Sequence, residues 1–153
     1  MENNPFETKE QKLIATFFVN DRCFGIDSNF VLEVVRLSEV TPVHRSPEYV
    51  LGVMNLRGRI VTIIDLGIKL GFEKLQISNS SRIFIVSQEQ EFVGLLIDQV
   101  ADVVPLETEL LRPLPESVAK NQIQFFSGVF QAGDLFVTLL NLDVVLSETG
   151  KSL

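Results

Sequence analysis

The stretch that decides the fold is GVMNLRGRIVTIIDL, residues 52–66. β-Branched residues, which suit a packed strand, stand on both sides of the tip Leu56-Arg57-Gly58-Arg59. Gly58 can take a positive φ without steric cost, as a tight hairpin turn requires. The stretch therefore predicts a β-hairpin that presents Arg57 outward. An arginine held on a rigid turn loses little freedom when it contacts a partner.

The same pattern occurs twice along the chain. Gly25 aligns with Gly94 at an offset of 69 residues (94 − 25). The segment VTIIDL (61–66) aligns with VTLLNL (137–142) at an offset of 76 residues (137 − 61). Because the offset grows between the two matches, the second copy carries an insertion within residues 105–127.

Two copies of about five short strands predict a mainly β fold. We expect two pseudo-symmetric five-stranded barrels, SH3-like or OB-like, that share a hydrophobic core and carry short helices. A lone barrel of this size would bury little apolar surface, so the interface between the halves should hold much of the core. The residues predicted there are Val34, Val35, Val103 and Val104, with the strands at 60–64 and 137–140. A terminal helix is predicted at 141–148, capped by Asn141.

The domain organisation follows from the ends and from one polar run. Residues 1–12 are charged and lack the apolar core of a secretory signal, so we expect a mobile lead-in. Residues 13–149 then form a single domain of two interlocked barrels. The boundary between the barrels is expected near 73–81, where Ser78-Asn79-Ser80-Ser81 resembles a linker. Residues 150–153 are expected to be a C-terminal tail.

Composition excludes several classes of function. The chain has 153 residues and a net charge of −7, whereas nucleic-acid and anionic-lipid partners need a basic surface. Its apolar stretches are interrupted by charged residues well before bilayer length, so we expect no membrane insertion and a cytoplasmic location.

The residues that carry catalytic or metal chemistry are sparse. One cysteine, Cys23, and one histidine, His44, lack ligand-spaced neighbours, so we expect no metal site and no cofactor, and a buried, inert thiol. Asp98 and Asp102 lie four residues apart. They could act as an acid and base pair, but the solvated face of a helical turn is the simpler interpretation.

Four valines pose a choice between core and binding surface. Val31, Val34, Val100 and Val103 recur at equivalent positions of the two copies, where the halves should meet. Most could belong to the core. They could also line a groove between the barrels, flanked by Glu33 and Arg57, that seats a helix of another protein. Arg57 does not recur in the second copy, so folding alone does not explain it.

The segments GVMNLRG (52–58) and IVTIIDL (60–66) resemble the signature of CheW, the family of bacterial chemotaxis coupling proteins. Val31-Leu32-Glu33-Val34 and the later pair Gly128-Val129 fit the same pattern, and the match runs from about residue 13 to 146. Thr62 stands where the family usually has proline.

The resemblance implies a non-enzymatic adaptor of two five-stranded barrels, which bridges the cytoplasmic helical tips of chemoreceptors and the regulatory domain of the histidine kinase CheA. Contacts between CheW copies in rings are a further implied possibility. The expected location is the inner face of the membrane, through receptor arrays. The resemblance implies that Val31, Glu33 and Arg57 lie on or near the receptor-binding surface, and that Gly52 is a position sensitive to side chains. We predict kinase binding for Gly52. The residues predicted to bind the receptor are Val31, Glu33, Val34, Asn55, Arg57, Val100 and Val103.

Two alternatives remain open at this level. The same scaffold could serve a chemosensory pathway with another output, such as surface motility, because the contacts would be the same. A small-molecule-binding β-barrel with a pocket between its halves is the other alternative.

Overall fold

The structure is a computed structural model that describes residues 11–147. Its strands are β1 (Gln11–Val19), β2 (Arg22–Asp27), β3 (Glu33–Val35), β4 (Val40–Thr41), β5 (Val50–Leu56), β6 (Arg59–Asp65), β7 (Arg82–Gln88), β8 (Glu91–Ile97), β9 (Gln99–Glu107), β10 (Phe126–Ala132) and β11 (Leu135–Leu140). The α-helices are α1 (Leu66–Lys69), α2 (Lys120–Ile123) and α3 (Leu142–Ser147), and 3-10 helices form at Ser28–Phe30 and Thr108–Leu110. The mainly β prediction is confirmed.

The strands form two sheets that exchange hairpins between the sequence copies. The five-stranded sheet has the order β10-β11-β2-β1-β9, and the six-stranded sheet has the order β3-β7-β8-β6-β5-β4. β2 pairs in parallel with β11, Gly25 lying opposite Leu139, and β8 pairs in parallel with β6, Gly94 lying opposite Ile63. Each copy's first hairpin therefore joins the other copy's last hairpin. The six-stranded sheet exceeds the expected count because the two-residue β4 adds to its edge.

Gly52 and Gly128, equivalent glycines of the two copies, adopt the same unusual backbone. Their φ angles are +149° and +156°, and each lies at a register shift of its hairpin. A Cβ on Gly52 would lie 2.3 Å from the Thr41 carbonyl oxygen, and one on Gly128 would lie 2.6 Å from the Arg112 carbonyl oxygen. The internal repeat read from sequence is thus a structural repeat.

The main core lies between the sheets. The rings of Phe17 on β1 and Phe84 on β7 meet edge to face, with their centroids 5.2 Å apart. A smaller cluster fills the five-stranded barrel: Ile14, Cys23, Leu106, Phe130 and Val137. Burial raises the pKa of the Cys23 thiol, against a smaller opposing effect of a backbone hydrogen bond at Phe17. Cys23 is buried as the sequence predicts.

The structure corrects the predicted membership of this core. Val34 and Val103 are 45% and 57% exposed, so neither is a core residue. Both lie on edge strands, β3 and β9, where one flank has no neighbouring strand to cover it. Val35 and Val104 are partly buried and pack against the core clusters.

Several boundaries also differ from expectation. β1 begins at Gln11, two residues before the predicted start of the domain. Residues 1–10 of the expected lead-in lie outside the described residues. So do residues 148–153, which include the predicted end of the terminal helix and the tail. Helix α3 confirms the predicted terminal helix as far as Ser147, and Asn141 Oδ1 accepts a hydrogen bond from Val144 N at 3.3 Å. The segment 73–81 joins two strands of one sheet, β6 and β7, so it separates the sequence copies but not the sheets.

Asp98 and Asp102 do not share a helical turn. Asp98 joins β8 to β9, and its Oδ2 accepts a hydrogen bond from Asn20 N at 2.7 Å. Asp102 lies within β9, and its backbone carbonyl accepts a hydrogen bond from the Thr16 hydroxyl. The helical interpretation was wrong because β9 follows β8 almost directly and pairs with β1. That pairing joins distant parts of the chain, so local spacing does not reveal it.

Candidate partner-binding site

The tip of the β5–β6 hairpin holds Arg57 in a defined conformation. Arg57 and Gly58 have φ angles of +50° and +86°, so both central residues of this two-residue turn are left-handed, as in a type I′ turn. Asn55 Oδ1 accepts a hydrogen bond from Gly58 N at 2.8 Å and so ties the turn to β5. Asn55 is exposed, but its side-chain oxygen is already used in holding the tip.

Arg57 forms an ion pair with Glu33. Its Nη2 donates a hydrogen bond to Glu33 Oε2, and the two side chains remain 68% and 36% exposed. The hydrogen bond to Glu33, and next the charge of its carboxylate, raise the pKa of Arg57. The structure thus brings together two residues that lie 24 positions apart in the sequence.

This contact also reports the shape of the six-stranded sheet. β3 and β5 are four strands apart in its order. In a flat sheet that separation would be about 19 Å, too far for a side-chain contact. The sheet must therefore curl until β3 approaches the tip of the β5–β6 hairpin, and the Glu33–Arg57 pair bridges the two.

The exposed valines border the contact between the two sheets. Val34 lies opposite Phe84 in the β3–β7 register, and Val100 lies opposite Phe17 in the β1–β9 register. Since opposite residues share a face of a sheet, both valines stand beside the pair of touching rings. Val103 follows on the same face, opposite Ala15.

Val31 is different from the other three. It precedes β3, is only partly exposed and packs against the main core. Its role in a binding surface, like that of the other valines, stays a prediction.

Two leucines that the sequence analysis did not single out extend this apolar border. Leu32 precedes Val34 by two residues and Leu13 precedes Ala15 by two, so each shares a face with its neighbour. Both leucines are more than half exposed. The sequence does contain a signal for Leu32. Side chains two residues apart along an extended strand share a face, so an outward-facing Val34 implies an outward-facing Leu32. We refer to Leu13, Leu32, Val34, Val100 and Val103 as the valine–leucine border.

Gly52 occupies a buried position within β5. Any side chain there would collide with the backbone of β4 and would have to adopt a φ that L residues avoid. Sensitivity to substitution at Gly52 therefore has a packing explanation, and its assignment to kinase binding stays a prediction.

The comparisons with known proteins agree with this architecture. The family model of the CheW-like domain matches residues 14–150. The chain belongs to the CheW-like family. A probable chemotaxis protein CheW of Rhizobium etli is 32% identical over 140 residues, covering 92% of this chain and 90% of that protein. Protein FrzA of Myxococcus xanthus is 30% identical over 144 residues, covering 92% and 88%.

A solved CheW structure has the same fold. The crystal structure of the scaffolding protein TtCheW from Thermoanaerobacter tengcongensis superposes with a TM-score of 0.82 at 30% sequence identity, covering 94% of this chain and 98% of that one. The resemblance inferred from residues 52–66 is confirmed, as is the fold of two barrel-like sheets.

A separate cavity bears on the small-molecule alternative. It has a volume of about 640 Å³ and opens beside Phe72, Phe126 and Phe136, where the segment 114–118 borders the five-stranded sheet. Apolar cavities of this size can hold small ligands, but the rings alone do not specify one. That alternative stays a prediction. Within residues 11–147, no helix combines the length and apolar character needed to cross a bilayer.

Proposed function

We propose that this CheW-like chain is a non-enzymatic adaptor that couples the cytoplasmic helical tips of chemoreceptors to the histidine kinase CheA. It would work in the cytoplasm, at the inner face of the membrane, through its receptor contacts. Membership of the CheW-like family supports the adaptor role, as do relatives named as chemotaxis proteins and a structural neighbour described as a scaffolding protein.

The observation that carries the receptor contact is the Glu33–Arg57 pair beside an exposed apolar border. A guanidinium has five N–H donors, and Arg57 is 68% exposed while one of its nitrogens contacts Glu33. The remaining donors can therefore reach an acidic or amide side chain of a partner. Exposed aliphatic residues flanking such a group suit an amphipathic helix, whose apolar face packs while its polar edge meets the charge.

We assign the receptor helix to a groove between the two sheets. Its walls are the valine–leucine border together with Val31, and the Glu33–Arg57 pair lies at one end. The kinase would bind elsewhere on the barrels, with Gly52 keeping β4 and β5 in close contact, and contacts between copies of the chain would extend the assembly.

The experiment is co-sedimentation of the purified chain with a chemoreceptor cytoplasmic fragment, comparing wild type with Arg57→Ala. We expect the variant to lose at least about fivefold in receptor affinity, since a coupling of about 1 kcal/mol or more at a contact residue changes affinity by that factor. Asp134→Ala is the matched control, because Asp134 lies at the tip of the equivalent β10–β11 hairpin.

Glu33→Lys should also weaken receptor association and leave the melting temperature nearly unchanged, since exposed ion pairs contribute little to folding. Unchanged receptor binding in Arg57→Ala would remove the assignment of this residue. A large drop in melting temperature for Glu33→Lys would mark the pair as structural.

A further inference from the structure

The walls of the proposed groove are related by the internal repeat. At the offset of 69 residues, Val31 and Val34 on one wall correspond to Val100 and Val103 on the other. Val34 and Val103 are exposed to similar extents and lie on equivalent edge strands, β3 and β9. The two walls are therefore similar at their valines, but they differ where Leu32 corresponds to the smaller Ala101 and where Leu13 corresponds to Arg82.

Charge breaks this symmetry. The position equivalent to Glu33 is Asp102, which is also acidic and exposed. The position equivalent to Arg57, at the offset of 76 residues, is Gly133 at the tip of the β10–β11 hairpin. The tip of the β5–β6 hairpin therefore carries a guanidinium, and the tip of the β10–β11 hairpin carries none at the equivalent place. Because the repeat makes the two tips equivalent, we assign them to the two ends of the groove.

We propose that Arg57 sets the direction in which the receptor helix lies in the groove. This inference rests on the proposed function and deepens it. The equivalent valines supply contact area that is similar for both directions, and Arg57 accepts only the direction that brings an acidic or amide side chain of the helix to its end. Specificity is a difference between two binding free energies, so a single charged contact present at one end decides between two otherwise similar poses.

The turn at Gly133 can receive an arginine. Its φ is +61°, close to the +50° of Arg57, and a Cβ built there meets no atom within 4 Å. The exchange variant Arg57→Gly/Gly133→Arg thus moves the guanidinium to the other end of the groove. It keeps the composition and the net charge of the chain.

The test uses a receptor hairpin fragment that carries a nitroxide label at one end of its binding helix. Paramagnetic broadening is read from the side-chain methyl signals of Ile60, near the Arg57 tip, and Leu135, near the Gly133 tip. In wild type one of the two signals should broaden selectively. In the exchange variant the other signal should broaden instead, and in Arg57→Gly alone the two should broaden to comparable extents.

Two controls address the remaining asymmetry of the walls, because Leu32 corresponds to the smaller Ala101 and Leu13 corresponds to Arg82. Neither Leu32→Ala nor Arg82→Leu should change which methyl signal broadens. An exchange variant that keeps the wild-type pattern, or a Leu32→Ala or Arg82→Leu variant that reverses it, overturns this inference while the adaptor function stands. Failure of the wild-type chain to bind the fragment overturns the proposed function, and this inference with it.

Discussion

Two residues of the same hairpin, Gly52 and Arg57, illustrate how differently single positions are explained. Gly52 is buried, strained for any other residue and repeated in the second copy as Gly128, so folding accounts for it. Arg57 is exposed, sits on a turn that other residue pairs also form in this chain, such as Asn20-Asp21, and is not repeated. The turn therefore does not explain the identity of Arg57, and its role in binding stays a prediction.

Gly52→Ala should lower the free energy of unfolding by about 2 to 3 kcal/mol. The added Cβ would lie 2.3 Å from the Thr41 carbonyl oxygen, and alanine would have to adopt a φ of +149°, which L residues avoid. Gly58→Ala is the matched control. Its φ is +86°, but a Cβ there has no atom within 4 Å, so the loss should be only about 1 kcal/mol. Urea unfolding measures both. A Gly52→Ala variant of normal stability that no longer binds kinase would mean that Gly52 is a contact residue.

At the scale of elements, the edge strands β3 and β9 carry the features that the sequence alone could not resolve. The valines of both strands have the β-branched, apolar character of core residues, and no local pattern distinguishes an edge strand from a central one. Edge position depends on which strands pair, and here the pairings of β7 with β3 and of β1 with β9 span about 50 and 90 residues. The sequence therefore wrongly predicted burial for Val34 and Val103, although it also indicated both valines as candidate binding residues.

The double variant Val34→Thr/Val103→Thr tests the role of these strands. Threonine keeps the β-branched shape but adds a hydroxyl, which at an exposed strand position should change the unfolding free energy by no more than about 0.5 kcal/mol. Receptor affinity should fall, because the helix would have to desolvate two hydroxyls. Isothermal titration with the receptor fragment and thermal unfolding provide the two readouts. Full receptor affinity in the double variant would exclude these valines from the interface.

At the scale of the whole molecule, the repeat was visible in sequence but the exchange of hairpins was not. Matched offsets establish that two segments are equivalent, yet they do not say which strands pair. The parallel pairings of β2 with β11 and of β8 with β6 make each sheet depend on both copies. The sequence placed Glu33 and Arg57 only near each other on a surface. Their direct contact depends on the curling of the sheet, which is a property of the complete barrel.

The interlocked sheets should unfold together. Phe84→Ala removes a fully buried ring that contacts Phe17 of the other sheet, and we expect a loss of about 3 to 5 kcal/mol. Urea titration followed by the methyl signals of Ile63 and Val137, one in each sheet, should give coincident midpoints, as a two-state transition requires. A five-stranded sheet that stays folded after the six-stranded sheet has unfolded would contradict this interdependence.

The most direct test of the account is whether this chain links receptor to kinase. The measurement is the amount of CheA that sediments with membranes containing chemoreceptors, as a function of added chain. We expect the wild-type chain to raise sedimented CheA to a plateau, and Arg57→Ala to require several times more protein to reach it. Sedimentation of CheA that is the same with and without the chain would contradict the adaptor function.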